Sequence, residues 1–287
     1  ITALLNRIFE TLTNSVGNFL LDSSKERNRE VYQKIDFLNF WCFGCVAVGM
    51  YAVLQPMVTL WLGENFLFDK TVLFVLVVNF YMEGMRASVN TFKEAAGIFH
   101  EDRRIPLVEA GLNLTVSIVL AKLMGAAGVF LGTILSSLVV YLYSYPKYVC
   151  KPLFGMHYSQ YVGQTLRHLL VLLAILGVTE AGIRPMASWN PWLRILTGGV
   201  VAVLVFHAVF LLLYGKSDEM KYYEGLREEL ETEFIRQDKD GIIRKLSEVI
   251  NSLLEEKPKT ADSLSIASEI MYFTIYHIDH GKSMLEK

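Results

Sequence analysis

Cysteine is nearly missing from this chain, and the three it has, Cys42, Cys45 and Cys150, do not form a site. Cys42 and Cys45 make a C-x-x-C, but it sits inside the apolar stretch WCFGCVAVG, and no second pair completes a zinc or redox centre. Metal ligands and cofactors are therefore not expected. Net charge is also scarce. Lys and Arg total 27 against 29 Asp and Glu, and no basic face emerges, which excludes nucleic acid as a partner. The apolar segments lack a DxD-like metal motif, a nucleophile elbow and a histidine–carboxylate constellation, so an enzyme is not expected either. Signal peptide and initiator methionine are both missing, and residue 1 already lies in membrane-grade sequence. The chain reads as the C-terminal part of something longer.

Apolar residues are plentiful. They make up 53% of the 287 residues, mean hydropathy is +0.35, and they come in blocks of about 20, the length that crosses a bilayer. Seven blocks qualify, at roughly 1–21, 37–62, 71–96, 106–123, 126–145, 166–181 and 192–214. Trp41, Trp61, Tyr141, Tyr143, Tyr145, Trp189 and Trp192 stand near their ends as interfacial anchors. The expectation is an all-α, polytopic membrane helix bundle of about seven transmembrane helices, spanning 1–215.

Basic residues choose the orientation. Lys25, Arg27, Arg29 and Lys34 follow the first block, Lys93, Arg103 and Arg104 the third, and Lys147 and Lys151 the fifth. The opposite connections are short and poorer in charge, so the basic set marks the cytoplasm. From about Ser217 the composition becomes charged and amphipathic. Residues 216–287 read as a small cytoplasmic three-helix tail, with Ile266, Ile270, Phe273 and Ile278 as its central stripe. His277, Asp279 and His280 near its end read as surface rather than as a metal site.

Two polar rows break the apolar pattern. Asn79, Glu83, Arg86, Asn90 and Lys93 are spaced so that, at about 100° per residue, they share an arc of roughly 80° on one helix face. Arg7, Glu10, Asn14 and Asn18 repeat the device in the first block. A charge facing hydrocarbon costs several kcal/mol, so such rows should face a bundle interior or a water-filled cavity. Amides can bond hydroxyls and ring oxygens, as a glycan requires. Arg86 is the leading candidate for a phosphate contact, because its guanidinium stays charged and presents a planar fork. Its bland alternative is an ion pair with Glu83. Lys93 suits either the cavity or a snorkelling position. Glu109 and Asn113 share a face of the fourth span, where Glu109 could equally be helix-terminus charge. Gly128 and Gly132 form a G-x-x-x-G and read as packing devices. Glu180 and His207 stand apart from any row.

Three segments resemble a known family. SVGNFLLDSSKERNREVYQKIDFLNFW, LWLGENFLFDKTVLFVLVVNFYMEGMR and TFKEAAGIFHEDRRIPLVEAGLNLTVSIVLAKLMGAAGVFLGTILSS are similar to the C-terminal lobe of Wzx-type oligosaccharide flippases. These belong to the multidrug/oligosaccharidyl-lipid/polysaccharide exporter superfamily. The resemblance covers about 1–215 and implies two lobes around a central cavity, of which this chain holds the second. It implies a multi-pass protein of the bacterial inner membrane that flips an undecaprenyl-pyrophosphate-linked oligosaccharide. Its partners would be that lipid-linked glycan, membrane lipids and polysaccharide assembly proteins. The tail instead resembles the helical segment upstream of the DNA-binding part of YesN-like, AraC-family response regulators, with no helix-turn-helix after it. A small-molecule multidrug antiporter of the same superfamily and a membrane-tethered sensor acting through the tail are the alternatives.

Overall fold

A computed structural model of the protein describes residues 16–20 and 23–235, with Leu5, Thr13, Arg244 and Glu248 besides. Among the described residues six helices are long and apolar enough to cross a membrane, and there is no strand. They are α1 Lys25–Trp61, α2 Lys70–Ala95, α3 Ile105–Met124, α4 Ala126–Phe154, α5 Tyr158–Ile183 and α6 Pro191–Tyr214. A polar helix, α7 Asp218–Ile235, follows. The architecture is that of an all-helical, multi-pass membrane protein. The block expected at 1–21 lies mostly outside the described residues, as do the second and third tail helices and the stripe they were to carry.

Two helices begin earlier than hydropathy predicts. α1 starts at Lys25 rather than at residue 37, because Ser24 caps it by accepting from the Arg27 N–H at 3.3 Å. Its charged first turns still bury a face of Asn28, Val31, Tyr32 and Ile35, and the Asn28 amide donates to the Leu153 carbonyl at 3.2 Å. α5 starts at Tyr158 rather than at 166, where the Gln160 side chain accepts from the His157 N–H at 3.0 Å. Hydropathy averages out such turns, whereas caps and helical-face burial retain them.

α4 also outruns its expected end. It passes through a π-helical stretch, Val140–Cys150, that contains Pro146. Tyr141 and Tyr145, four apart, turn inward and are 3% and 1% exposed, leaving Tyr143 on the surface. Tyr141 donates to the Met82 carbonyl. The expectation of three interfacial tyrosines is thus corrected to one.

Close packing follows from small residues. Gly125, at φ 61°, lets α3 turn directly into α4. A Cβ on Gly128 would stand 2.1 Å from the Leu120 carbonyl oxygen, and one on Gly132 would stand 2.3 Å from Ser117 Oγ. The G-x-x-x-G is therefore the seam along which α3 and α4 touch. α1 runs through the middle of the bundle against α2, α5 and α6. Phe37, Phe40, Phe206, Phe210 and Tyr214 fill its seam with α6. The outer faces are apolar: Leu107 on α3 is 75% exposed and Leu212 on α6 is 83% exposed, as a lipid-facing surface requires.

The helices alternate in direction. One end gathers the basic first turns of α1, the 96–104 turn, the end of α4 and the start of α7, where the Tyr223 hydroxyl donates to the Lys34 carbonyl at 3.0 Å. The opposite end carries the 63–69 turn, stapled by Gln55, whose amide donates to the Phe68 carbonyl at 2.5 Å and accepts from the Phe68 N–H at 3.2 Å. There Asp69 caps α2. The Thr71 N–H, 2.7 Å away, holds the Asp69 carboxyl below the usual carboxylate range.

Candidate functional site

α2 divides its faces cleanly. Leu73, Val77, Tyr81, Gly84, Ser88 and Phe92 are buried against the bundle, and a Cβ at Gly84 would fall 1.9 Å from the Phe43 ring. Asn79, Glu83, Arg86, Asn90 and Lys93 lie on the other face, and all five are half-buried. The row is a continuous polar strip at the flank of the bundle rather than part of its dry core.

Arg86 is its centre. Nη1 and Nη2 meet Glu109 Oε1 and Oε2 on α3 at 2.7 and 3.0 Å, a bidentate pair in which each side chain is 19% exposed. Nη1 also lies 3.5 Å from Glu83, the looser contact of the two. The Glu83–Arg86 pair suggested by spacing is present, but the principal partner of Arg86 comes from the next helix. On the other side, Arg86 Nε donates to the Tyr145 hydroxyl at 3.4 Å, and Tyr145 donates to Asn90 Oδ1 at 2.8 Å. One connected network thus joins α2, α3 and α4.

Two carboxylates face one guanidinium here, so the centre is net negative by one charge. Towards the basic end the row is balanced again. Lys93 pairs with Asp102 at 2.5 Å, and Asp102, itself buried, accepts from Ser144 at 3.1 Å. Lys93 is therefore a latch on the 96–104 turn as well as a member of the row.

The remaining candidates are scattered. Asn79 carries a buried Oδ1 that accepts no hydrogen bond among the described residues. Asn113 on α3 accepts from Ser117 at 3.3 Å, one turn towards the glycine seam. Asn18 is exposed, and Arg7, Glu10 and Asn14 lie outside the described residues. Neither Glu180 nor His207 is isolated. Glu180 accepts from Lys70 at 2.7 Å and from Tyr51 at 3.1 Å, and the Trp41 indole N–H donates to His207 at 3.3 Å. Among the described residues no cluster of His, Cys, Asp and Glu could hold a metal ion.

Sequence spacing missed two groups. Tyr145 and Asp102 complete the network from α4 and from a turn, where no periodicity marks them. A histidine–carboxylate approach also exists within the spans: His168 Nδ1 lies 3.7 Å from Asp36 Oδ2. These two residues sit on α1 and α5, so no spacing rule links them, and the expectation of no such constellation is corrected.

Comparison with known proteins returns no match: no family model fits the chain, and neither a curated protein nor a solved structure matches it.

Proposed function

We propose that the chain is a transporter lobe that moves a lipid-linked oligosaccharide across a membrane without covalent chemistry, the α2 row and its α3 partners forming part of the solute path. The observation that carries this is the half-buried polar strip about four turns long on a helix apolar enough to span a bilayer. Each charge left against hydrocarbon would cost about 2.5–3.5 kcal/mol, so the strip needs water or polar protein opposite it. Asn79 and Asn90 supply amides suited to sugar hydroxyls, and the free acceptor on Asn79 is one such contact in waiting. The flippase-like motifs supply the cargo class, an undecaprenyl-pyrophosphate-linked glycan of a bacterial inner membrane. The basic end is then cytoplasmic by the positive-inside rule. Rocking against a second lobe would give alternating access.

Arg86 enters this reading with its fork already occupied. A pyrophosphate would have to displace Glu109, exchanging one bidentate anion for another. Substrate arrival would then uncouple α2 from α3, which gives the lobe a reason to move. The test is surface glycan measured beside membrane protein level. Arg86→Ala should abolish export with the protein still inserted, and Arg86→Lys should restore it only partly, keeping the charge and losing the fork. Wild-type export by an Arg86→Gln, Glu109→Gln double variant would reduce the pair to packing and sink the phosphate role.

The net negative centre favours one second reading, a small-molecule antiporter of the same superfamily exporting organic cations. Efflux of a cationic dye that depends on Glu83 and Glu109 but not on Arg86 would select it.

A further inference from the structure

Asp36 sits on α1 at 4% exposure, and its carboxylate accepts two neutral donors: Ser88 Oγ of α2 to Oδ1 at 2.7 Å, and Gln164 Nε2 of α5 to Oδ2 at 2.7 Å. Among the described residues no lysine or arginine pairs with it. The ionisable group of opposite sign within 4 Å among the described residues is His168, 3% exposed, whose Nδ1 stands 3.7 Å from Oδ2 and makes no hydrogen bond among them. The imidazole is held flat on Phe40, with centroids 4.5 Å apart. Beyond Gln164 and His168 opens a cavity of about 480 Å³ at the basic end, bounded also by Gln33, Arg167 and Glu219.

We propose that Asp36 and His168 form a proton-binding site that holds one exchangeable proton and is loaded from this cavity. An ionised Asp36 beside a neutral imidazole would leave inside the bundle one charge that two neutral donors solvate but no cation balances. One proton removes that charge. A hydronium in the cavity gives it up and becomes water, and the pair passes from net −1 to neutral. Carried on His168, the proton also supplies the orphaned Nδ1 with a donor role towards Oδ2, reached by a shift of less than an ångström. The other titratable neighbours do not substitute for it. Tyr32 on α1, Tyr81 on α2, Cys150 on α4, Tyr161 on α5 and Tyr214 on α6 are neutral hydroxyls and a thiol. Arg167 is exposed and lies over the Tyr214 ring, and Glu219 of α7, which lines the same cavity, carries the other sign. Proton transfer along Asp and His residues is a recurring use of such buried pairs in membrane proteins. The site stands independently of what the lobe carries.

The test uses the full chain in nanodiscs, titrated between about pH 5 and 9, the range in which histidine titrates. Infrared spectra report the carboxylic-acid carbonyl, and ¹⁵N-histidine spectra, assigned with His168→Phe, report the imidazole. Wild-type protein should show one titrating proton on the pair. Asp36→Asn should remove the carbonyl signal, and His168→Phe, which keeps the stack on Phe40, should move the Asp36 titration by at least about one pH unit, a tenfold change in proton affinity. Should wild-type spectra show Asp36 ionised and His168 neutral throughout, the proposal is overturned, whether or not either variant folds. An Asp36 titration untouched by His168→Phe overturns it equally.

Discussion

Arg86 and Glu109 are each 19% exposed, and that fraction sets the scale of what their pair contributes. Removing one partner of a fully buried pair costs about 3–5 kcal/mol. With water opposite the strip, as proposed, solvent screens this pair, so Arg86→Ala should destabilise by about 1–3 kcal/mol, and the Arg86→Gln, Glu109→Gln double variant by less than the two single changes together. Thermal unfolding of purified protein measures both. Asn79 makes the opposite prediction. Its buried Oδ1 has no donor among the described residues, so Asn79→Leu should leave the melting temperature unchanged or raise it while lowering export. A fall in both would mark Asn79 as structural. At this scale the row itself was legible, because one helix fixes the angle between its own residues. The partners were not. Glu109 and Tyr145 reach Arg86 only after α3 and α4 have packed, and the 3.5 Å contact to Glu83 was the pair that spacing alone could suggest.

Among the elements, the α3–α4 hairpin makes the tightest demand. With a Cβ at Gly128 falling 2.1 Å from a backbone carbonyl, no side-chain rotation can relieve Gly128→Ala, and the helices must separate. The expected cost is about 1–3 kcal/mol, read as a lower melting temperature, and Glu109 should loosen from Arg86 in the same variant. Gly111→Ala on the same hairpin, whose Cβ would meet open space, is the control and should be neutral or mildly stabilising. The Lys93–Asp102 latch predicts a local effect instead. Asp102→Asn should increase thiol labelling of a cysteine placed at His100 without changing the melting temperature greatly. Hydropathy located the middles of the described spans, because lipid selects for apolar length there. It misplaced the starts of α1 and α5, where Ser24 and Gln160 cap helices that still carry charge.

For the whole molecule, the alternation of six spans places Ser24 and Asn65 at opposite ends of the bundle. Cysteines at those two positions should label from opposite sides of the membrane, and labelling from the same side would overturn the topology. The central claim is that the α2 row faces water while α3 and α6 face lipid. Replacing Cys42, Cys45 and Cys150 and then scanning single cysteines through positions 76–93, and at 107 and 212, with a membrane-impermeant thiol reagent tests it most directly. The account predicts reaction at 79, 83, 86, 90 and 93, with a helical period, and silence at Leu107 and Leu212, whose exposure is to lipid. A row as unreactive as Leu107 and Leu212 would contradict it.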